Sequence, residues 1–298
     1  MDNSHNIAKL VNNFGKREKC IIGICDATSL RLDTTCFTPF VSRNHLKRTN
    51  PTANLPGAKS IIVVGVESKI DNFPPMPDGA GILSTLGVVD DYHIIVNSLL
   101  KRLAKELQLH TNFMYKILVD SPTLDERALA VRAGLGFFGR NGLVISPEYG
   151  SRFNIGLLLT DIEIAGKAKE VVAHTKNGKA GACPPGCNNC ITACPSGALS
   201  ESGGLDASRC ISYLTQKDNL TPEEANIIGR HLYGCDVCQD ACPLNSPGAT
   251  AWANPNDWLN MSDADFAKTY GHTAMLWRGA GLLRRNARYV NINVKPSP

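Results

Sequence analysis

Long apolar runs are missing from this 298-residue chain: no window reaches the roughly 18 apolar residues that a bilayer-spanning helix needs. The start, "MDNSHNIAKLVNNFGKREKC", has no basic stretch leading into an apolar one and no twin arginine, so no secretory signal is expected. Charge is sparse, with charged residues at 19% and a formal net charge of +4. So small an excess permits an anionic partner but lacks the concentrated stripe of a dedicated nucleic-acid binder. Low-complexity tracts are absent, and no segment repeats apart from two cysteine runs. With apolar residues at 43%, these absences leave a soluble globular protein of the cytoplasm, expected as a monomer with one large domain or two modest ones.

Cysteine is what the chain has in quantity. Of eleven, Cys20, Cys25 and Cys36 are scattered near the N-terminus and are expected as small core hydrophobes. The other eight fall between positions 183 and 242, which marks a domain boundary. In a reducing compartment, closely spaced cysteines more often bind metal than form disulfides.

Residues 1–175 read as alternating strands and helices. "CIIGIC" (20–25), "SIIVVGVE" (60–67), "FMYKILVD" (113–120), "GLVIS" (142–146) and "NIGLLLTD" (154–161) are strand-like. "DYHIIVNSLLKRLAKELQL" (91–109) has helical apolar spacing. "SPTLDERALAVRAGL" (121–135) reads as a helix entered at Pro122, with Thr123 and Glu126 fitting a capping box. The mixture predicts an α/β layered N-terminal domain. A small, basic stretch at 165–182 reads as a surface connection, and residues 249–298 as a helical C-terminal tail containing "SDADFAKTY" and "TAMLWRGAGLLRRNARYV".

The cysteine runs are Cys183-x3-Cys187-x2-Cys190-x3-Cys194-Pro and Cys235-x2-Cys238-x3-Cys242-Pro, with Cys210 upstream of the second. They come close to the doubled bacterial ferredoxin pattern, in which three thiolates of one loop hold a [4Fe–4S] cube and the fourth cysteine ligates the other cluster. The pattern assigns Cys183, Cys187, Cys190 and Cys242 to one cluster, and Cys194, Cys210, Cys235 and Cys238 to the other. Residues 176–248 are thus expected to form a ferredoxin-like double-cluster domain. The gap after Cys183 is one residue longer than usual, which makes Cys183 the weakest ligand of the set. Two zinc sites are the competing reading, since C-x2-C pairs also bind zinc.

Other signals are weaker. "GLGFFG" (134–139) matches a dinucleotide fingerprint in letters only, because its glycines close a helix instead of opening one. His110, His174, His231 and His272 share no ligand spacing, and His93 stands near the start of the 91–109 helix. Asp120 ends a strand, where active-site groups of open α/β sheets gather. A helix-capping aspartate is the competing reading. Arg278, Arg284, Arg285 and Arg288 form a basic tail that either meets phosphates or lies on a solvated helix face.

Taken together, "VDSPTLDERALAVRAGLGFFGRNGLVIS", "GSRFNIGLLLTD", "RCISYLT" and "YGCDVCQDACPLN" resemble the epoxyqueuosine reductase family, relatives of the reductive dehalogenases. The resemblance spans roughly residues 54–290 and includes "DYH" (91–93) and the "TAMLWRGAGLLRRNARYV" segment. It implies a cobalamin bound in the N-terminal domain beside two [4Fe–4S] clusters. It also implies a low-potential electron donor such as ferredoxin or flavodoxin, and removal of an epoxide oxygen from a tRNA nucleoside. In that mechanism the clusters pass single electrons to the corrinoid cobalt, and a nearby acid protonates the departing oxygen. Asp120 matches the family's proposed acid. A carboxyl donating a proton near neutral pH needs its pKa raised by burial. Tyr92, His93, Gly139, Arg140, Asn141 and Ser212, with Asp120, are the expected corrinoid surroundings.

The sequence departs from the family at two points. Family members continue into a helical-repeat region that grips tRNA, whereas this sequence stops at Pro298, and "GILSTLGVVD" lacks the "YARG"-like run expected before "DYH". Two further readings therefore stand beside the first: reduction of another substrate on the same scaffold, and an electron-transfer protein serving a corrinoid partner.

Overall fold

A computed structural model describes residues 3–31, 39–164, 183–201 and 204–294. Cys36, His174 and the 165–182 connection lie outside the described residues. The chain forms two compact units, one of Met1–Glu67 with His93–Pro185, the other of Ser68–Tyr92 with Gly186–Pro298. In chain order the strands are β1 (Ile21–Asp26), β2 (Ser60–Glu67), β3 (Gly81–Leu83), β4 (Tyr115–Val119), β5 (Phe137–Phe138), β6 (Val144–Ile145), β7 (Phe153–Thr160), β8 (His231–Tyr233) and β9 (Ala251–Ala253).

In the first unit four strands form a sheet in the order β1-β2-β7-β4, with every neighbouring pair antiparallel. Side chains alternate across a strand. Ile61, Val63, Leu157 and Leu159 accordingly share one core cluster with Leu124, Ala128 and Leu129. Ile62, Val64 and Leu158 point to the opposite face and are also fully buried. Burial on both faces explains why the central strands read as unbroken apolar runs although the sheet is antiparallel. The helix Tyr92–Gln108 buries Val96, Leu99, Leu100, Leu103 and Leu107 at helical spacing. It lies so close to β7 that a Cβ on Gly156 would stand 2.3 Å from the Val96 Cγ1. Cys20 and Cys25 are buried, as their scattered positions suggested.

Two expectations are corrected here. The helix after β4 is shorter than 121–135: it runs Glu126–Arg132, and Asp125 caps it by accepting the Ala128 N–H at 3.0 Å. The Thr123–Glu126 capping box does not form, because Asp125 takes the cap and Glu126 turns back toward the strand end. The rule that sites gather at carboxyl ends concerns parallel sheets. In an antiparallel sheet another cause must place Asp120.

The second unit is built on a three-stranded sheet in the order β8-β3-β9, with β3 parallel to β8 and antiparallel to β9. Residues 249–294 are therefore no appended tail. They supply β9 and the helices Pro255–Asn260, Asp263–Tyr270 and Ala280–Val294, whose Trp258, Phe266, Leu283, Ala287 and Val290 fill the core beneath the sheet. The Trp258 indole donates to the Tyr270 hydroxyl at 2.9 Å, which satisfies its buried N–H. Residues 68–92 belong to this unit because β3 is its central strand. The divisions expected at 175 and 248 thus differ from the two units observed.

The C-terminal arginines are mostly occupied within the fold. Arg278 reaches the Gln216 carbonyl and Asp218, Arg284 the Met261 carbonyl and Asp263, and Arg285 the Lys217 and Asp218 carbonyls. Arg288 is exposed. Arg285 also donates to the Oδ1 of fully buried Asn286, whose Nδ2 donates to the Thr215 and Leu232 carbonyls at 2.8 Å each. Asn286→Leu strands both carbonyls in the core and is expected to lower stability by about 2–4 kcal/mol, measured by denaturant unfolding. No helix among the described residues is long and apolar enough to cross a membrane.

Candidate functional site

Asp120 follows the last residue of β4 with φ +46, the left-handed region that side-chain-bearing residues rarely enter. The cause is visible in its backbone. Along a strand, successive N–H groups point to opposite sides, so one group cannot accept from both. The left-handed turn brings the N–H groups of Asp120 and Ser121 to one side, where the Glu126 carboxyl oxygens accept them at 3.1 and 2.9 Å. The Ser121 and Thr123 hydroxyls bond at 2.7 Å and tighten the same turn.

The Asp120 side chain consequently projects outward, 68% exposed, with its Oδ2 3.6 Å from the His93 Nε2. The first unit's own residues therefore do not supply the burial that a neutral-pH acid was expected to have. His93 lies in the first turn of the Tyr92–Gln108 helix and is 41% exposed, so the pair faces solvent where a reactant can reach it. Glu126 behaves differently. Burial pushes its carboxyl up to about 8, opposed by the Ser121 N–H, while the charges of Asp120 and Asp125 add to the rise. Sequence reasoning assigned Glu126 to a helix cap and so missed it.

Gly139, Arg140 and Asn141 occupy the turn between β5 and β6, where Gly139 N–H donates to the Leu143 carbonyl at 2.8 Å. A Cβ on Gly139 would meet the Ile145 Cδ1 at 2.4 Å and the Asn141 Oδ1 at 2.8 Å, so the turn closes only without one. Asn141 is 3% exposed, its Oδ1 accepting the Leu143 N–H at 3.1 Å. Its Nδ2 is buried with no hydrogen-bond partner among the described residues. An unmet buried donor costs about 1–3 kcal/mol and calls for an acceptor. Arg127 donates to the Gly142 carbonyl at 3.2 Å, so the Glu126–Arg132 helix carries both the Glu126 contact with Asp120 and a tie to this turn. Gly134 N–H donates to the Val131 carbonyl and closes that helix, which accounts for "GLGFFG" without a dinucleotide.

In the second unit, the helix Asn189–Ala193, carrying Cys190, packs against Val237–Asp240, carrying Cys238. The sulfurs sit among hydrogen-bond donors. Burial pushes the Cys194 thiol up, but the Ser196 hydroxyl and the backbone N–H groups of Leu199, Ala198 and Ser196 outweigh it, and the thiol is lowered. Burial raises Cys210, opposed by the N–H groups of Ser212 and Tyr213. Burial lifts Cys235 to about 12, against the Val237 N–H, and the charges of Cys210, Asp236 and Cys194 add to it. Cys238 is raised by burial and then by Cys235, Cys210, Asp236 and Cys190. Thiolates this dry and this mutually repelling are tolerable when a cationic centre neutralises them, and the N–H groups aimed at sulfur fit thiolate ligands. Cys187 and Cys242 are half-buried in the same unit, while Cys183 is half-buried and grouped with the first. Among the described residues, no three His, Cys, Asp or Glu side chains converge on a site for one metal ion.

Tyr92 and Ser212 belong to the second unit, whereas His93 and Asp120 belong to the first. Asp236, between two of the cysteines, was not singled out from sequence. Its Oδ2 accepts the Thr85 N–H and hydroxyl at 2.7 Å each, and its Oδ1 accepts from Gln239 at 3.1 Å. This ties the cysteine loop to a segment some 150 residues earlier. Asp236→Ala is expected to accelerate iron release to a chelator about 10–100-fold with all eight cysteines intact, followed by absorbance.

Residues 183–245 match the family model of a 4Fe-4S double cluster binding domain, and residues 48–121 match that of "Epoxyqueuosine reductase QueG, DUF1730". The chain is similar to the epoxyqueuosine reductase of Bacillus cereus, with 36% identity over 81% of this chain and 66% of the relative. It thus spans slightly less than two thirds of that protein's length. The Lactococcus garvieae epoxyqueuosine reductase shares 34% identity over 84% of this chain and 73% of the relative. Among solved structures, epoxyqueuosine reductase from Streptococcus thermophilus superposes with a TM-score of 0.82 at 31% identity, covering 97% of this chain and 82% of that one. An epoxyqueuosine reductase crystallised with an epoxyqueuosine-modified tRNA-Tyr stem loop gives a TM-score of 0.83 at 29% identity, over the same shares of both chains. A double-cluster cysteine domain, an aspartate fixed at a strand end beside a histidine, and similarity of this extent in sequence and fold have one reading: the chain belongs to the epoxyqueuosine reductase family.

Proposed function

We propose that this chain reduces epoxyqueuosine to queuosine in tRNA, using two [4Fe–4S] clusters and a bound cobalamin. The observation that carries the reading is the His93–Asp120 pair, held at the surface by the backbone capture at Glu126, in a chain of this family. Removing an epoxide oxygen as water and leaving a double bond consumes two electrons and two protons. Clusters that carry one electron each, in the Cys183/Cys187/Cys190/Cys242 and Cys194/Cys210/Cys235/Cys238 sets, suit the electron side of that balance. A low-potential donor such as ferredoxin or flavodoxin supplies them, and thiol ligands in this number suit the reducing cytoplasm.

A corrinoid, when bound, supplies the strongly reducing centre that engages the substrate. The turn at Gly139, Arg140 and Asn141 fits it: the partnerless Asn141 Nδ2 is a donor for one of the carbonyl-bearing side chains around a corrin ring. His93 holds the Asp120 carboxyl in place, and Asp120 delivers a proton to the oxygen as the C–O bond breaks. Since Asp120 is exposed in its own unit, the desolvation that favours its protonated form comes from the bound reactants. The similarity to a reductase solved with a modified tRNA stem loop supports tRNA as the partner.

Anaerobic purification with metal analysis and a spectrum after adding cobalamin and desalting tests the reading. About eight irons and one retained cobalamin per chain are expected. About two zincs instead of iron would replace the cluster assignment with zinc sites, and iron without retained cobalamin would favour an electron carrier.

A further inference from the structure

We infer that Glu126 is the positioning residue for Asp120, its carboxyl group clamping the two amides that fix where the Asp120 side chain points. The inference rests on Asp120 acting in the reaction and adds the residue that aims it. Three observations converge. Asp120 carries a Cβ yet has φ +46, a conformation that has to be held from outside. The two amides that this conformation brings together are captured by the two oxygens of one carboxyl group, at 3.1 and 2.9 Å. That carboxyl group stands on the first residue of the Asp125-capped helix, so the clamp is anchored to a rigid element.

The hydroxyl bond between Ser121 and Thr123 tightens the following residues but does not involve the amide of Asp120. His93 approaches the tip of the Asp120 side chain at 3.6 Å, too far to set its backbone. Other charges near the clamp are Asp125, in the same turn, and Arg127, 4.0 Å from Asp125. Neither substitutes for a bidentate acceptor. Without the clamp the strand end relaxes toward extended backbone, and the carboxyl of Asp120 leaves its place beside His93. Misplacing a reacting group by about 1 Å costs up to ~100-fold in rate.

The test uses the full chain with its clusters and added cobalamin. In the wild type, hydrogen exchange at the Asp120 and Ser121 amides is expected to be at least about tenfold slower than in an unstructured peptide, although the Asp120 side chain is exposed. Glu126→Gln keeps one acceptor oxygen and is expected to lower kcat about 10–100-fold, with KM for an epoxyqueuosine stem loop, iron content and cobalamin retention unchanged. Glu126→Ala, with no acceptor, lowers kcat further. Unprotected amides in the wild type overturn the clamp, and decide the matter alone if neither variant folds. Wild-type kcat in Glu126→Gln, or a rise in KM at constant kcat, also overturns it. Asp120→Asn separates this inference from the reading it rests on: full turnover there removes Asp120 from the reaction, whereas an inactive Asp120→Asn beside a fully active Glu126→Gln removes only the clamp.

Discussion

Asp120→Asn is expected to lower turnover of an epoxyqueuosine-containing stem loop about 10²–10⁴-fold, the contribution typical of a positioned general acid. Asparagine is the right replacement here. It tolerates left-handed backbone better than other residues with a Cβ, so φ +46 at this position survives the change. The amides of residues 120 and 121 still reach Glu126, since those contacts are to backbone. What is lost is the ability to give up a proton to oxygen and the charged partner of His93 at 3.6 Å. Iron content, cobalamin retention and the thermal midpoint should match the wild type. Steady-state assays beside metal analysis and thermal unfolding check all of these, and unaltered turnover would return Asp120 to a purely structural role.

Cys238→Ala is expected to take iron from about eight to about four per chain, leaving one cluster. Cys238 is raised by burial and then by the charges of Cys235 and Cys210, two other members of its assigned set. Removing one thiolate leaves an open corner on that cluster. Cys194→Ala should empty the same site, although Cys194 lies in the other cysteine run, because the fourth ligand crosses between runs. Cys242→Ala should leave that site loaded and empty its companion. Iron assay with electron paramagnetic resonance of the reduced variants distinguishes the two sites. If Cys194→Ala and Cys187→Ala lose the same cluster, the crossed assignment is wrong and each run serves its own centre.

The parts of this protein legible in sequence are those fixed by neighbours in the chain. "SIIVVGVE" and "NIGLLLTD" are strands because they are short, apolar and bounded by turns, and they became β2 and β7. The cysteine spacing announced a cluster domain because three ligands on one loop must sit close in sequence. Strand direction was not legible, since an apolar run buried on both faces looks the same in a parallel and an antiparallel sheet. Residues 68–92 gave no sign that β3 pairs with β8 and β9, because those hydrogen bonds join segments far apart in the chain. The site shows the same division. Asp120 was singled out at a strand end and His93 at a helix start, the family resemblance added their roles, and the structure brings them together. Glu126 was hidden by a plausible capping box, since a box and a backward clamp use the same residue type at neighbouring spacings. Asp236 was hidden because its partner Thr85 is long-range. The unmet donor of Asn141 is a property of packing, which no spacing rule reports.

Turnover decides whether this chain reduces an epoxide in tRNA. The anaerobically purified chain, with added cobalamin and a chemical reductant, is incubated with a tRNA stem loop carrying epoxyqueuosine, and the digested nucleosides are weighed by mass spectrometry. Conversion to a nucleoside lighter by one oxygen is expected, dependent on cobalamin and reductant and slowed at least about 100-fold in Asp120→Asn. Unchanged epoxyqueuosine from a chain loaded with both clusters and the corrinoid would contradict it.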